Sequence, residues 1–243
     1  MKHIPLNERV IFALDVPTAE DAFCWVDRLE SHIRFYKVGL QLFLASWWHV
    51  IDGILDRGHK VMLDLKLFDI PETVQKAVSQ IKNRGITFVT IHGNDPIIRA
   101  AVGEKGDLKI LAVTVLTSFD KSDMRVMGFT RPIEDLVLLR GKKAITLGCD
   151  GVVSSPREVL PLRKNLGENF LIITPGIRPR VNRDIEGDDQ RRVASALDAI
   201  KNGADHLVVG RPIRTSQDPI KAIEEIQQEI VQGLNERECQ YPR

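Results

Sequence analysis

The chain has 243 residues, with 34 Lys and Arg against 33 Asp and Glu, 43% hydrophobic residues and 28% charged ones, a composition that excludes a disordered chain. A formal net charge of +1 leaves no strong field for non-specific binding to nucleic acid or a membrane surface, so a small-molecule partner is expected. Cys24, Cys149 and Cys239 form no Cys-x-x-Cys pair and the histidines no His-x-x-x-His pair, so neither a disulfide framework nor a metal site is expected.

The opening Met1 to Pro5 leads straight into charged residues, and the most apolar stretch, Leu40 to Ile51, is too short to span a bilayer. A cytoplasmic protein is expected. From there, short β-rich runs alternate with longer helical patterns. A strand over Val10 to Leu14 precedes a helix over Thr18 to Leu29, and Phe35 to Val38 precedes Gln41 to Arg57. Lys60 to Leu65 is followed by Pro71 to Arg84, Phe88 to Ile91 by Pro96 to Gly103, and Lys109 to Val115 by Ile133 to Leu147. Gly151 to Ser154 then precedes Pro156 to Leu166, Phe170 to Thr174 precedes Arg191 to Asn202, and His206 to Val209 precedes Pro219 to Gln232.

Pro71, Pro96, Pro156 and Pro219 stand where first-turn prolines belong, because an N-terminal helical N–H has no intrahelical acceptor to lose. Eight such β/α units in about 250 residues predict a single-domain TIM (β/α)8 barrel over residues 1–243, with residues 236–243 a frayed tail. A doubly wound sheet is the alternative. It usually opens on a Gly-rich phosphate turn, whereas the first strand here runs into Ala13-Leu14-Asp15-Val16-Pro17.

A barrel places its active site at the C-terminal ends of the strands, and those ends are polar here. They carry Asp15, Lys37, Asp64 with Lys66, His92 with Asn94, Thr117 with Ser118, Ser154 with Ser155, Arg178 and Arg211 in chain order. Strand alternation turns Leu63, Leu65 and Leu67 outward and sends Asp64 and Lys66 together into the barrel. Such a buried ion pair is often no better for stability than two hydrophobic residues, which makes a functional role as good an account as a structural one. Lys37 on the neighbouring strand and Asp69 just beyond Lys66 extend the pair to an alternating Lys, Asp, Lys, Asp row. Asp69 alone, ahead of Ile70-Pro71-Glu72, reads as a helix N-cap.

Thr174-Pro175-Gly176-Ile177-Arg178 and Val209-Gly210-Arg211 follow the seventh and eighth strands, the usual place for a phosphate in this architecture. The long polar segment from Arg178 to Arg191, with Gln190 near its end, has the character of a lid or of an exposed connection.

Asp64-Leu65-Lys66-Leu67-Phe68-Asp69-Ile70-Pro71-Glu72-Thr73 resembles the Asp-x-Lys-x-x-Asp-Ile-Pro-x-Thr signature of the orotidine 5'-phosphate decarboxylase family. Phe12 to Asp15, Lys37 to Gly39, Val113 to Ser118, Thr174 to Arg178 and Gly210 to Pro212 match further segments in family order. The resemblance implies decarboxylation of orotidine 5'-phosphate to uridine 5'-phosphate and CO2 in pyrimidine biosynthesis, with no cofactor and no metal. It implies Lys66 as proton donor to C6, Asp64 beside the leaving carboxylate, Lys37 linking Asp64 to the ribose, and Asp15 on a ribose hydroxyl. Asp69, Ile70 and Thr73 are implied to reach the site of a second subunit in a homodimer. Thr117 and Ser118 are implied to face the pyrimidine, Gln190, Gly210 and Arg211 to hold the phosphate, and Arg178 to bind ligand. The Asp-x-Lys core is shared with sugar-phosphate barrel enzymes such as a pentulose-phosphate epimerase or a hexulose-phosphate synthase, which stand as one alternative. A noncatalytic nucleotide-binding barrel is the other.

Overall fold

The computed structural model of the chain describes residues 2–178 and 193–240. Its eight strands are β1 (Val10–Ala13), β2 (Phe35–Gly39), β3 (Lys60–Leu67), β4 (Phe88–His92), β5 (Lys109–Val113), β6 (Gly151–Val153), β7 (Leu171–Thr174) and β8 (His206–Val209). They pair in sequence order, and β8 closes on β1 through the parallel register Val10 with Leu207, so the sheet has no edge. The expected TIM barrel is the fold.

Helices fill the connections: α1 (Leu6–Arg9), α2 (Ala19–Leu29), α3 (Leu40–Asp56), α4 (Pro71–Ile81), α5 (Asp95–Glu104), α6 (Lys121–Val126), α7 (Ile133–Thr146), α8 (Val159–Leu166), α9 (Ala196–Lys201), α10 (Arg211–Arg214) and α11 (Pro219–Gln240). The Thr18 hydroxyl caps α2 by accepting from the Asp21 N–H, and Pro71 opens α4 in its first turn. Three short helices, α1, α6 and α10, have no counterpart in the periodicity, since four to six residues complete too few turns to show one. The Asp120 and Asp123 capping box that starts α6 is the local signal for that helix. The helix expected over Pro156 to Leu166 is split into a 3-10 turn at Pro156–Glu158 and α8. At the other end α11 continues to Gln240, across most of the stretch expected to fray.

Strand alternation divides the apolar residues into two cores. Ile11, Phe35, Met62, Phe88, Leu111, Leu171 and Ile173 fill the barrel interior. Phe12, Val38, Leu63, Val89 and Ile91, an odd number of positions away on the same strands, pack outward against the helices. Each fully buried side chain of this size adds about 1.5–3 kcal/mol of burial free energy, which makes the inward and outward sets hard to exchange by a register slip.

Beneath the interior plug, at the N-terminal end of the strands, lies a charged network. The buried Asp205 carboxylate accepts from Arg163 Nη2 at 2.7 Å and from the Ile172 N–H at 2.9 Å, and Lys2 Nζ stands 3.2 Å away. His206 sits edge-on to both Phe35 and Phe88 and donates from Nδ1 to the Glu8 carbonyl at 2.9 Å. This end of the barrel serves stability, and the opposite mouth is left for chemistry. No described helix is long and apolar enough to cross a membrane.

Candidate active site

Above Met62 the interior positions turn polar, and a cavity of about 240 Å³ opens at the C-terminal mouth. Asp15, Lys37, Asp64, Lys66, Thr117, Arg178, Gly210 and Arg211 line it, together with apolar Ala13, Met62, Val113, Leu116, Val153 and Val208. Of the apolar members, Ala13, Val113 and Leu116 lie in segments the resemblance covers, while Met62, Val153 and Val208 look like ordinary core in the sequence.

The charged side chains form a continuous row across β1, β2 and β3. Lys37 Nζ donates to Asp15 Oδ1 at 2.8 Å and stands 3.9 Å from Asp64 Oδ2, while Lys66 Nζ donates to the same Asp64 oxygen at 2.9 Å. The barrel register makes this possible, since Ala13 pairs with Lys37 and Lys37 with Met62, so the three strand ends project their polar residues at adjacent heights. Glycine keeps the row uncrowded. A Cβ on Gly39 would lie 3.1 Å from Lys37 Nζ, and one on Gly210 would press to 3.1 Å from Ala13 Cβ, two residues before Asp15. The Arg214 guanidinium also donates to the Asp15 carbonyl and ties α10 to the end of β1.

Within one chain the row is therefore Asp15, Lys37, Asp64, Lys66, where the sequence had suggested Asp69 as its fourth member. Asp69 is exposed beyond the mouth, and its Oδ1 accepts from the Ile70 N–H at 2.7 Å. It is not the N-cap of α4 either, a place held by Ile70 without a side-chain cap, because the chain turns one residue later than the Asp signal implied. Ile70 and Thr73 are exposed alongside it and line no part of this chain's cavity.

Burial raises the Asp64 carboxyl, but the Lys37 and Lys66 ammoniums, with hydrogen bonds from Lys66 and Thr90, outweigh it and hold the group below its ordinary value. Asp64 is thus an anion at neutral pH in a nearly dry place. His92, at the end of β4, is lowered as well, by burial and then by the positive charges of Arg140 and Lys66, which for a base favours the neutral ring. The ring packs on Phe68 with centroids 4.8 Å apart.

The backbone of Lys66 has φ of 49°, in the left-handed region that costs a residue with a side chain about 1–3 kcal/mol. The strain falls where β3 departs from regular pairing with β4: Leu63 pairs with Val89, but the next pair is Leu67 with Ile91. Four steps on β3 thus answer two on β4. Thr90, which the sequence reading passed over, fills this irregularity with its hydroxyl. Only its place in the inward set Phe88, Thr90, His92 beside the Asp64 strand marked it beforehand.

On the far side of the cavity, Gly176 and Arg178 follow β7. Ile177 bridges to Ala194, with the Arg178 N–H donating to the Ala194 carbonyl at 2.9 Å. The buried Arg178 side chain donates from Nη1 to the Ile177 carbonyl at 2.8 Å. Arg211 begins α10 directly after Gly210, so two arginines and two glycines from β7 and β8 share one wall. Thr117 faces the cavity from the β5 side, whereas Ser118 is exposed and does not line it. Gln190 and the expected lid lie outside the described residues. Ser154 and Ser155 have a structural use here: the Glu158 carboxylate accepts from the Ser154 hydroxyl and the Ser155 N–H, each at 2.8 Å. Among the described residues no group of three or more His, Cys, Asp or Glu side chains is arranged to hold a metal ion.

An alternating charge row on β1 to β3, continued by an arginine-bearing wall from β7 and β8, suits a reaction in which negative charge develops near an ammonium while an anionic handle is held elsewhere. Comparison with known proteins is consistent with this geometry. Residues 8–226 match the model of the family described as "Orotidine 5'-phosphate decarboxylase / HUMPS family". A protein of Methylococcus capsulatus named orotidine 5'-phosphate decarboxylase is 47% identical over 230 residues, 94% of each chain. One of the same name from Xanthomonas campestris pv. campestris is 42% identical over 92% of each. The crystal structure of orotidine 5'-phosphate decarboxylase from Lactobacillus acidophilus superposes with a TM-score of 0.80 at 35% identity, covering 92% of this chain and 99% of that one. With barrel, motif segments and chain length all in agreement, the chain belongs to the orotidine 5'-phosphate decarboxylase / HUMPS family.

Proposed function

We propose that this chain decarboxylates orotidine 5'-phosphate to uridine 5'-phosphate and CO2 without metal or organic cofactor. The observation that carries the reading is the row Asp15, Lys37, Asp64, Lys66, in which a buried anion is held ionised between two ammoniums. The names of the relatives, at 42–47% identity, favour this substrate over a sugar phosphate.

Loss of CO2 leaves the electron pair of the broken C–C bond on C6, where no adjacent carbonyl delocalises it. The Lys66 ammonium stabilises that charge and transfers a proton from Nζ to C6, giving the product; Lys66 then regains a proton from solvent. Asp64 faces the departing carboxylate and repels it more than the neutral CO2 that it becomes. Lys37 spans Asp64 and the ribose, and Asp15 accepts from a ribose hydroxyl. Gly210 and Arg211 hold the phosphate with Gln190, and Arg178 adds to the same wall. Thr117, on the cavity wall, faces the base. Binding energy from the phosphate, remote from the reacting carbon, serves to preorganise the charges.

The active form in this reading is a homodimer with shared sites. Leu40, Leu44, Trp47, Phe68 and Ile70 are each more than half exposed, on the segments that follow the neighbouring strands β2 and β3. Exposed apolar residues grouped in this way suit a protein partner, and Asp69 and Thr73 stand beside them, exposed and lining no part of their own cavity. A cytoplasmic place belongs to the same reading, and the three cysteines, all free, suit a reducing compartment.

The test is a spectrophotometric assay with orotidine 5'-phosphate in metal-free buffer, with and without a chelator. Turnover unchanged by chelation supports the proposal. Complete loss of turnover under chelation points to a metal-dependent sugar-phosphate enzyme, and binding of uridine 5'-phosphate with no CO2 release from the substrate points to a noncatalytic barrel.

A further inference from the structure

We infer that Thr90, through one buried hydroxyl, fixes the Asp64 carboxylate and the Lys66 backbone relative to each other and is a positioning residue for proton delivery; this rests on the decarboxylase reading above. Thr90 is fully buried on β4, facing the interior. Its Oγ1 donates to Asp64 Oδ1 at 2.8 Å and accepts from the Lys66 N–H at 2.9 Å. The two oxygens of Asp64 are thereby divided: Oδ1 is held by Thr90, which leaves Oδ2 aimed at Lys66 Nζ, 2.9 Å away, and Lys37 Nζ, 3.9 Å away.

The need for this side chain comes from the sheet itself. Between Leu63 and Leu67 the β3 ladder to β4 is interrupted, and Lys66 takes its positive φ inside that gap. The Lys66 N–H is met by the Thr90 hydroxyl in place of a ladder carbonyl, which satisfies a donor that would be costly to leave unpaired. A hydroxyl is the smallest group that both donates to the carboxylate and accepts from the N–H. Valine has the same shape and can do neither.

The experiment compares Thr90→Val and Thr90→Ser with the wild type by steady-state kinetics on orotidine 5'-phosphate across pH, uridine 5'-phosphate binding and thermal melting. Thr90→Val is expected to lower kcat about 10- to 100-fold, the value of a hydrogen bond to a charged group, with KM and uridine 5'-phosphate affinity within about threefold. Its acid limb of kcat should move to higher pH, because one of the bonds favouring ionised Asp64 is gone while Lys37 on β2 and Lys66 on β3 remain. Asp15 on β1, which accepts from Lys37, and His92 on β4, near Lys66, are the other charged or titratable groups at this end of the row, and the substitution alters neither. Thr90→Ser should restore kcat to within about threefold of wild type and return the acid limb to its place.

A Thr90→Val enzyme with near-wild-type kcat and an unmoved acid limb overturns the inference. So does a Thr90→Ser enzyme as impaired as Thr90→Val, since the methyl group would then be what matters, or a loss of uridine 5'-phosphate binding and melting temperature in step with kcat. A wild-type protein without turnover on orotidine 5'-phosphate refutes the decarboxylase reading instead, before any variant is compared.

Discussion

Lys66 Nζ lies 2.9 Å from Asp64 Oδ2, although the two residues are only two positions apart on one strand. Regular alternation already puts both inside the barrel, and the left-handed backbone at Lys66 turns its ammonium across the carboxylate. In the proposed mechanism, removing the ammonium removes the proton donor and leaves the proposed phosphate wall untouched. Lys66→Ala is expected to lose about 1,000-fold or more in kcat, within the range for a positioned acid acting on developing charge. Calorimetric titration should still detect uridine 5'-phosphate. Near-normal turnover would strip Lys66 of its role.

Arg211 follows Gly210 at the end of β8, next to the Asp15 end of the charge row. Because a remote phosphate contact is used in the transition state as well as in binding, Arg211→Ala should lower kcat/KM by clearly more than the roughly fivefold that one neutral hydrogen bond of about 1 kcal/mol represents. Competition by inorganic phosphate should weaken in the same variant. An unchanged kcat/KM would put the phosphate elsewhere.

Asp69 is exposed and lines no part of its own cavity, so the proposed homodimer makes a demand that a monomer does not. Mixing Lys66→Ala with Asp69→Ala subunits creates one site per mixed dimer with both residues intact. With random exchange, activity should recover to about one quarter of the wild-type value, half of the dimers each carrying one sound site. Absence of recovery, with mixed dimers demonstrated by mass spectrometry, would rule out the cross-subunit contribution.

His206 is lowered to about 4, chiefly by burial, against a partial counter-effect from its bond to the Glu8 carbonyl. Its folded-state value lies below the unfolded value near 6.5, so the unfolded chain binds the proton more readily as pH falls between them. The neutral ring therefore costs nothing above about pH 6.5, and stability drains away by about 3 kcal/mol as pH drops to about 4. Urea midpoints of wild type and His206→Gln should show the wild type more stable at pH 7.5, with the gap narrowing or reversing at pH 4.5. A gap independent of pH would mean that the ring contributes packing alone.

Several features could not be read from the chain. Helices α1, α6 and α10 are too short for a period, and α10 owes its place to Arg214 reaching the Asp15 carbonyl across 199 positions. The helix starts at Pro71 as expected, but its N-cap is Ile70, and Asp69, read as the cap, bonds the Ile70 N–H instead. Thr90 was hidden for a different reason. A threonine inside a strand is what β-propensity alone would supply, and its second use depends on a ladder interruption in the neighbouring strand.

The sequence by itself determined eight strands, their inward and outward faces, and the polar character of the barrel mouth, because alternation and first-turn prolines act through neighbours along the chain. The tertiary structure decided the full membership of the charge row. Asp15, Lys37 and Asp64 come from three strands, and closure with a fixed register brings Asp15 into the row and leaves Asp69 outside it. The contact distances that hold Asp64 ionised are properties of that closure, since Coulombic and hydrogen-bond energies depend on separation in space and on exclusion of water, neither of which is written in the order of residues.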